Sequence, residues 1–301
     1  MFTIGKYWTG DRDIKPDCWG NFSTVQSALF HNLERMGIDP GSAKSCIPFW
    51  SPGIPINYGI KQFSSVDSHN PETVFKNNYL ELPSAQWGTL NNGYKCNMEA
   101  VTETEGTFFT VFKPISLASA YAGNFASVRT TDKDEAFGFF GSTVGVYGMM
   151  STSTGYKYTT DNIISSFPAD WYAAVIRGQS NTHTTFTVWI KNLRTGLRTK
   201  FLFSSGNSRF VHGTVAYNTV HIGGNLVFPN YYDTASDCSS VMYFTKWYND
   251  QTCIELIENP YQLWQPVPQK TIFDLGADPT STLLPIMMNM NQFNGGIYET
   301  D

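Results

Sequence analysis

The sequence predicts an all-β protein that folds as an antiparallel sandwich. Short runs of alternating apolar and polar side chains follow one another along most of the chain, separated by glycine, proline or asparagine. No long helical pattern lies between these runs, which argues against a parallel sheet with crossover helices. The length of 301 residues suits one large β domain with short extensions better than two separate domains.

The composition narrows the range of partners. Charged residues make up 15% of the chain and the net charge is −5, without any cluster of Lys and Arg, so we expect no nucleic-acid partner. No apolar run reaches the roughly 20 residues that a membrane helix needs. Residues 1–8 lack the basic and apolar regions of a signal peptide. The five widely spaced cysteines favour buried, reduced thiols over disulfides.

Residues 1–45 are predicted to form an extension that contains one amphipathic helix. Ser23 and Gln26 have the spacing of a capping box, and Gly37 is suited to the left-handed conformation that ends a helix. This helix must dock on the β domain or on a neighbouring subunit, since it would be marginal alone. Its apolar stripe consists of Val25, Leu29, Leu33 and Met36.

From residue 46 onward the pattern changes to strands. Pro114 is expected to end the pairing of its strand, because proline has no N–H to donate. The residues 192–196 are predicted to form the turn of a hairpin, and the glycines between Phe137 and Met150 to allow bulges or close strand contacts. The main predicted strands are 47–50, 79–82, 106–114, 171–177, 185–191 and 197–203.

The stretch 237–264 combines a strand, a short helix and an aromatic tail. Residues 241–247 read as a buried strand, and Asn249 or Asp250 is expected to cap the helix that follows. Pro260 is expected to end this helix, because the residue before a proline disfavours helical geometry. The side chains expected to close the fold are Trp247, Ile254, Leu256, Pro260, Tyr261, Leu263 and Trp264.

This closing stretch resembles the end of the laminin-G-like, concanavalin A-like domains found in tailed-bacteriophage structural proteins. The opening strand 47–50 and the sequence Ile222-Gly223-Gly224 are similar to other parts of that family. The resemblance implies a concanavalin A-like jelly-roll sandwich over residues 46–266. It would lie between the extension 1–45 and an extended C-terminal tail, residues 267–301.

The resemblance and the two extensions favour a non-enzymatic structural protein of a tailed-phage virion, as a capsid decoration protein or a tail or fibre component. Such a protein would be assembled in the host cytoplasm, and its partners would be other virion proteins and further copies of itself in a homo-oligomer. The alternative is a carbohydrate-binding module that attaches to a host surface glycan. An aromatic platform with amide and carboxylate groups is typical of sugar sites. The candidate residues are Asn230, Tyr231, Tyr232 and Asp233, and packing of both tyrosines inside the protein stays open as their other explanation.

A third interpretation, a glycan-degrading enzyme, requires a pair of carboxylates on one strand. Relatives that hydrolyse β-glucans carry two glutamates flanking an aspartate, alternating along a strand so that they face one groove. The acidic residues Asp132, Asp134 and Glu135 do not alternate in this way and are predicted to form a solvated turn. We therefore expect no catalytic residue and no enzymatic activity.

Metal binding receives little support from residue spacing. No cofactor is expected, although the resemblance implies a Ca²⁺ site at a loop rim. His212 and His221 lack the further ligands that zinc needs. The candidate calcium ligands are Asp132 with Asp134, or Asp233 with Asp237.

Overall fold

A computed structural model describes most of the chain between residues 22 and 264. Among the described residues, no helix has the length and apolar character needed to cross a bilayer. The predicted C-terminal tail, residues 267–301, lies outside the described part, and the domain boundaries proposed above stay predictions. The described residues are 22–49, 56–60, 66–69, 74–75, 79–82, 94–101, 105–117, 123–129, 136–142, 145–152, 155–159, 161–179, 186–202, 217–223 and 234–264.

The described residues form two antiparallel sheets, which confirms the predicted sandwich with an N-terminal helix. In chain order the elements are α1 (Phe22–Arg35), β1 (Ala43–Pro48), β2 (Val66–His69), β3 (Val74–Phe75), β4 (Leu80–Leu82), β5 (Tyr94–Val101), β6 (Glu105–Leu117), β7 (Gly123–Arg129), β8 (Ala136–Ser142), β9 (Gly145–Thr152), β10 (Gly155–Tyr158), β11 (Ile164–Ser165), β12 (Tyr172–Gln179), β13 (Thr187–Asn192), β14 (Arg198–Leu202), β15 (Tyr217–Ile222), β16 (Thr234–Phe244) and α2 (Asp250–Glu258).

Each sheet contains strands from both halves of the chain. Sheet A has the order β14-β13-β12-β6-β16-β4-β3, and β1 also pairs with β16. Sheet B has the order β10-β9-β8-β7-β15-β5-β2, and β11 pairs with β9. The long strands β6 and β16 lie side by side at the centre of sheet A, so neighbours in the sheet are far apart in the sequence.

The main core lies between the two sheets and is rich in aromatic rings. Phe112 of β6 stacks on Phe139 of β8 with ring centroids 5.8 Å apart, and it also contacts Phe125 of β7 at 5.9 Å. Phe108, on the same strand as Phe112, packs on Phe139 as well. Contacts of this kind hold the inner faces of sheets A and B together.

A second core covers the outer face of sheet A. Met242, Phe109 and Val175 lie side by side on β16, β6 and β12, and all three are fully buried on the face away from sheet B. Because this face is apolar, it must be covered, and α1, α2 and the segment after α2 provide the cover. The central strands of sheet A, β12, β6 and β16, are therefore buried on both sides.

The predicted helix at the N-terminal end is confirmed as α1, and it docks on its own sandwich. Gly37 has φ of 72°, and the N–H of Ile38 donates to Leu33 O at 2.9 Å, which is the helix-ending geometry that the glycine predicts. Gln26 donates from its amide to Tyr58 O and Gly59 O, so it ties α1 to a neighbouring segment. The capping-box partner, Ser23, has a side chain outside the described set. The four stripe residues Val25, Leu29, Leu33 and Met36 are buried in the second core.

Pro114 does not end its strand, contrary to the expectation from the sequence. Strand β6 continues to Leu117, and Pro114 lies opposite Ser236 of β16. The register of β16 shifts between Ala235 and Ser236 at this point, which is how the ladder accommodates a residue without an N–H. The expected hairpin is present, since β13 and β14 pair on either side of residues 193–197.

In the closing stretch 237–264, strand β16 ends at Phe244, so Trp247 follows the strand and is not part of it. The Asn249 side chain caps α2 by accepting from Thr252 N at 3.0 Å. The short turn Gln262–Trp264 then places Trp264, only 2% exposed, edge-on against the Tyr58 ring at 5.9 Å. Of the other residues expected to close the fold, buried ones are Leu256, Pro260 and Leu263, and half-buried ones are Ile254 and Tyr261.

Arg177 of β12 is the polar anchor of this segment. Its side chain is nearly buried, donates to Thr187 Oγ1 at 2.6 Å, and also donates to Tyr248 O and to Asp250. The guanidinium lies 4.4 Å from the centre of the Trp247 ring. These contacts fix the start of α2 against sheet A, since Tyr248 and Asp250 flank its capping residue.

We expect Trp264→Ala to destabilise the protein by about 3 to 5 kcal/mol, because it removes a fully packed indole from the second core. Chemical denaturation measures this change in the free energy of unfolding. Leu202→Ala is the control, because Leu202 is 59% exposed and should change stability by less than about 0.5 kcal/mol. Equal effects of the two substitutions would contradict the assigned burial of Trp264.

We expect Arg177→Met to cost about 1 to 3 kcal/mol, since it leaves Tyr248 O and Thr187 Oγ1 buried without their donor. Lys200→Met is the matched control, because Lys200 also pairs with Asp250, at 2.6 Å, but on the surface. An exposed pair of this kind contributes about 0.2 to 1 kcal/mol. If the Lys200 variant lost as much stability as the Arg177 variant, the anchoring role would be wrong.

Candidate functional site

The outer face of sheet B is polar where the outer face of sheet A is apolar. On β15, Val220 and Ile222 point into the main core, so Thr219 and His221 point outward. The strand pairing places outward residues of β5 and β7 on either side of them. We call this set the polar face, and it consists of Lys95, Asn97, Ser127, Arg129, Thr219 and His221.

The polar face is arranged in two rows across three strands. In the first row, His221 lies between Lys95 of β5 and Ser127 of β7. In the second row, Thr219 lies between Asn97 and Arg129. Directly paired residues on neighbouring strands have Cβ atoms about 5 Å apart, so all six side chains belong to one small surface.

Burial divides the polar face into a floor and a rim. Ser127, His221 and Arg129 have exposed fractions of 0%, 1% and 3%, and they form the floor together with Thr219. On β5, Lys95 is half-buried and Asn97 is exposed, so the rim is accessible to solvent. Buried polar side chains next to more accessible ones make this face a candidate binding site for a polar molecule.

Hydrogen bonds fix the tautomer of His221. The Thr219 hydroxyl donates to Arg129 O at 3.1 Å, so its oxygen must accept from His221 Nε2, which lies 3.0 Å away. The ring proton is therefore on Nε2, and Nδ1 carries a lone pair. Neither Nδ1 of His221 nor Oγ of Ser127, its cross-strand neighbour, has a hydrogen-bond partner in the described part of the chain.

The surroundings keep this imidazole neutral. Burial, and then the positive charges of Arg129 and Lys95, lower the pKa of His221 well below its ordinary value of 6.5. A neutral ring with its proton on Nε2 presents Nδ1 as a hydrogen-bond acceptor. His221 is thus suited to receive a hydroxyl or amide proton and unsuited to bind an anion directly.

An aromatic cluster continues the outer face of sheet B beyond the floor. Phe140 of β8 and Tyr147 of β9 are directly paired and stack with centroids 6.4 Å apart, next to Met149. Phe140 and Met149 are buried, while Tyr147 is half-buried. The partly accessible tyrosine adds an aromatic surface on the same side of the sheet as the polar face.

The candidate sugar residues from the sequence are not among the residues that the structure describes. Asn230, Tyr231, Tyr232 and Asp233 are outside the described residues, between β15 and β16, and their role stays a prediction. Sequence reasoning missed the polar face, because its members are ordinary strand residues from three distant parts of the chain. Only the polar half of each alternating pattern, such as Ser127 and Arg129 around Val128, points to it.

Of the candidate calcium ligands, the structure describes Asp237. This residue is nearly buried on β16, and its carboxylate pairs with the Lys113 ammonium group at 3.3 Å. The lysine therefore supplies the positive charge that a calcium ion would otherwise supply. Asp132, Asp134, Glu135, Asp233 and His212 lie outside the described residues. Within the described ranges, no group of three or more His, Cys, Asp or Glu side chains is placed to hold a metal ion.

The cysteines that the structure describes are buried free thiols. Burial raises the pKa of the Cys238 and Cys253 thiols to about 12, so neither is a reactive thiolate near neutral pH. The same cause raises the pKa of Cys46 further. The four buried free cysteines are Cys46, Cys96, Cys238 and Cys253.

Comparisons with known proteins identify the fold of this chain but do not assign it to a family. No family model matches the chain, and no curated protein matches it. Among solved structures, a Trypanosoma rangeli sialidase in complex with sialic acid is similar over 80% of this chain and 38% of its own, with a TM-score of 0.54 at 11% identity. Another structure of Trypanosoma rangeli sialidase has a TM-score of 0.51 at 10% identity, over 79% of this chain and 39% of its own.

A carbohydrate-binding module, CBM40 of the Ruminococcus gnavus IT-sialidase bound to α2,3-sialyllactose, is also similar, at 12% identity over 52% of this chain and 83% of its own. Its TM-score of 0.38 is too low to support an argument. The two sialidase matches show a lectin-like β-sandwich, consistent with a concanavalin A-like fold. This chain spans about two fifths of the length of those sialidases.

One expectation from the sequence is corrected by these comparisons. The chain was expected not to be an enzyme, and that prediction is wrong, because the two solved structures named above that share its fold are sialidases, which are enzymes. The absence of the β-glucanase carboxylate pattern argued against that one catalytic arrangement. It did not exclude other catalytic arrangements. At about 10% identity the likeness establishes the fold and assigns no reaction to this chain.

We expect the protein to lose stability as the pH falls below 6.5, because the unfolded chain then binds a proton at His221 that the folded chain excludes. The contribution of this group is complete above pH 6.5 and falls by about 1.4 kcal/mol for each pH unit below it, until the lower folded pKa is reached. Urea denaturation between pH 7 and about 5 measures the slope.

His221→Gln should remove this part of the slope, whereas His31→Gln, at an exposed position on α1, should retain it. The aspartates with lowered pKa, such as Asp170 beside Arg194, act with the same sign only around and below pH 3.8. An unchanged slope in the His221 variant would show that this histidine is accessible to protons in the folded state.

Proposed function

We propose that the protein is a carbohydrate-binding domain and that a glycan binds on the polar face of sheet B. The observation that carries this proposal is the pair formed by His221 Nδ1 and Ser127 Oγ. Both are polar atoms on a buried floor, and neither has a hydrogen-bond partner in the described part of the chain. Buried polar groups in proteins are almost always hydrogen-bonded, so this pair is suited to a ligand that supplies hydroxyl groups.

The chemistry of the face suits a sugar. A sugar hydroxyl both donates and accepts, so a single hydroxyl can donate to His221 Nδ1 and accept from the Ser127 hydroxyl. On the rim, the Asn97 amide offers both donors and an acceptor to a second hydroxyl. Tyr147 offers a ring face for the apolar side of a sugar, as is usual at such sites.

The comparisons support the scaffold of this proposal. The Trypanosoma rangeli sialidase that shares the fold is in complex with sialic acid, which is a property of that protein. This chain corresponds to 38% of it, so catalysis and substrate do not transfer with the fold. The argument for a glycan therefore rests on the residues of the polar face.

The candidate loop residues extend the proposal. The segment 224–233 follows β15 directly, and β15 carries both Thr219 and His221. We include Asn230, Tyr231, Tyr232 and Asp233 as proposed contributors to glycan binding, on their sugar-binding chemistry alone.

We further propose, from the resemblance of the closing segment, that this domain serves in a tailed-phage virion. Glycan binding would there attach the particle to the host surface, and the partners would be other virion proteins and copies of the chain itself. The supporting observation is the order of strand, capped helix and buried tail that ends in Trp264. Copurification of the protein with phage particles tests this role separately from glycan binding.

We expect the full chain to bind a set of oligosaccharides on a glycan array, with affinities then measured by calorimetry. Asn97→Ala and Tyr147→Ala should each weaken binding about five- to tenfold, since each removes one contact worth about 1 kcal/mol. Thr199→Ala, at an exposed position on β14 of the opposite sheet, is the control and should bind as the unchanged protein does. Absence of glycan binding, or equal binding by all variants, would contradict the proposal.

A further inference from the structure

We propose that the polar face selects glycans through one free hydroxyl group, which must donate its proton to His221 Nδ1 while it accepts from the Ser127 hydroxyl. This inference rests on the glycan-binding function proposed above and adds a requirement to it. Sugars in which that hydroxyl is removed, methylated or replaced by fluorine are excluded. His221 and Ser127 are thus the residues that determine the specificity of the face.

The first requirement comes from His221, which can only accept at Nδ1. Thr219 donates its single hydroxyl proton to Arg129 O at 3.1 Å, and His221 Nε2, 3.0 Å from the Thr219 oxygen, holds the ring proton. The neutral ring therefore presents a lone pair at Nδ1, and that atom has no hydrogen-bond partner in the described part of the chain. An ether oxygen, a carboxylate oxygen or a fluorine atom would set a second lone pair against it. The group that meets Nδ1 must carry a proton.

The second requirement comes from Ser127, which lies directly opposite His221 on β7. Directly paired residues have Cβ atoms about 5 Å apart, so one ligand atom can contact both side chains. The Ser127 hydroxyl bonds neither His221 nor any other group among the described residues, and it carries one proton to donate. An atom that donates to Nδ1 and accepts from Ser127 Oγ at the same time is a hydroxyl oxygen, whereas an amide N–H donates only.

The strand on the far side of Ser127 leaves its hydroxyl to the ligand. Gly138 of β8 lies directly opposite Ser127 and has no side chain to offer it. A Cβ atom added at Gly138 would lie 2.6 Å from both Cα and Cβ of Ser127, so β7 and β8 approach closely here. Ser127 is 0% exposed and His221 is 1% exposed, which restricts the group that reaches them to a small one. A hydroxyl is the smallest sugar substituent that both donates and accepts.

The test uses methyl galactoside, methyl glucoside and methyl mannoside, each with its monodeoxy, monodeoxyfluoro and mono-O-methyl analogues, on the full chain. Ligand-observed NMR ranks their affinities. At one ring position of a sugar that binds, we expect the deoxy analogue to bind at least about tenfold more weakly, because a buried donor and a buried acceptor are then left without partners. Fluorine cannot donate a proton, and a methyl ether has none, so neither analogue should bind better than the deoxy one.

The variant Ser127→Ala locates the requirement on the polar face. It should reduce the difference between the parent sugar and its deoxy analogue to about threefold, since one of the two contacts remains. The free energy of unfolding should not fall, because the hydroxyl that is removed has no partner in the described part of the chain. Ser45→Ala is the matched control, since Ser45 is also fully buried with an unpartnered hydroxyl among the described residues but lies on β1 of sheet A. This control should change neither binding nor stability.

A spectroscopic measurement reports on His221 without a substitution in the binding experiment. In ¹⁵N-labelled protein, Nδ1 should resonate as an unprotonated ring nitrogen, and its signal should move towards that of a hydrogen-bonded nitrogen when the parent sugar is added. The deoxy analogue should leave the signal in place. His221→Gln identifies the signal by its loss. A proton found on Nδ1 in the free protein would overturn the donor requirement.

The outcomes separate this inference from the function on which it rests. If sugars bind and every monodeoxyfluoro analogue binds as tightly as its parent, donation is not required, so this inference is overturned and glycan binding stands. If Ser127→Ala leaves the difference between parent and deoxy sugar unchanged, Ser127 is not a determinant and the inference is equally overturned. If none of the three glycosides binds, recognition by a single hydroxyl is wrong. If no glycan on the array binds either, the proposed function is overturned with it.

Discussion

The whole structure depends on the burial of sheet A on both of its faces. A sheet with apolar side chains on each side must be covered twice, once by sheet B and once by other parts of the chain. The second cover consists of α1, α2 and the turn that ends in Trp264. These elements come from opposite ends of the described chain, and the Asn32 amide joins them by donating to Leu263 O at 3.1 Å. Sheet A thus contributes to two cores, one shared with sheet B and one shared with the helices.

The two faces of sheet B differ in their side chains. Its inner face contributes aromatic rings to the main core, while its outer face keeps a histidine, a serine and an arginine buried. Burial of His221 Nδ1 and Ser127 Oγ without a hydrogen-bond partner in the described part of the chain costs free energy, and this cost is tolerated where recognition requires it. The contrast between an outer face closed by helices and one that retains polar groups is the main reason to look for function on sheet B.

Much of the fold was predictable from the sequence, because the helices and the hairpin turn are determined by residues close together in the chain. The helical stripe of α1 with Gly37, the turn between β13 and β14, and the capped helix α2 each depend on residues within one short window. The passage of β6 through Pro114 was not predictable, since it depends on a shift in β16 more than a hundred residues away. The polar face was missed for a similar reason: Lys95, Ser127 and His221 become neighbours only when β5, β7 and β15 pair.

The position of β16 has a consequence for how the chain is made. This strand pairs with β1, β4 and β6, so β1 acquires its described partner, and β4 and β6 their second one, only after residue 244 has been synthesised. At about 5 to 20 residues per second, β1 would wait roughly 10 to 40 s for β16. During that time β6 can pair with β12, but the strand that joins β1 and β4 to them is missing. Protection of the nascent chain by a chaperone, or slow folding after release, is therefore built into the topology.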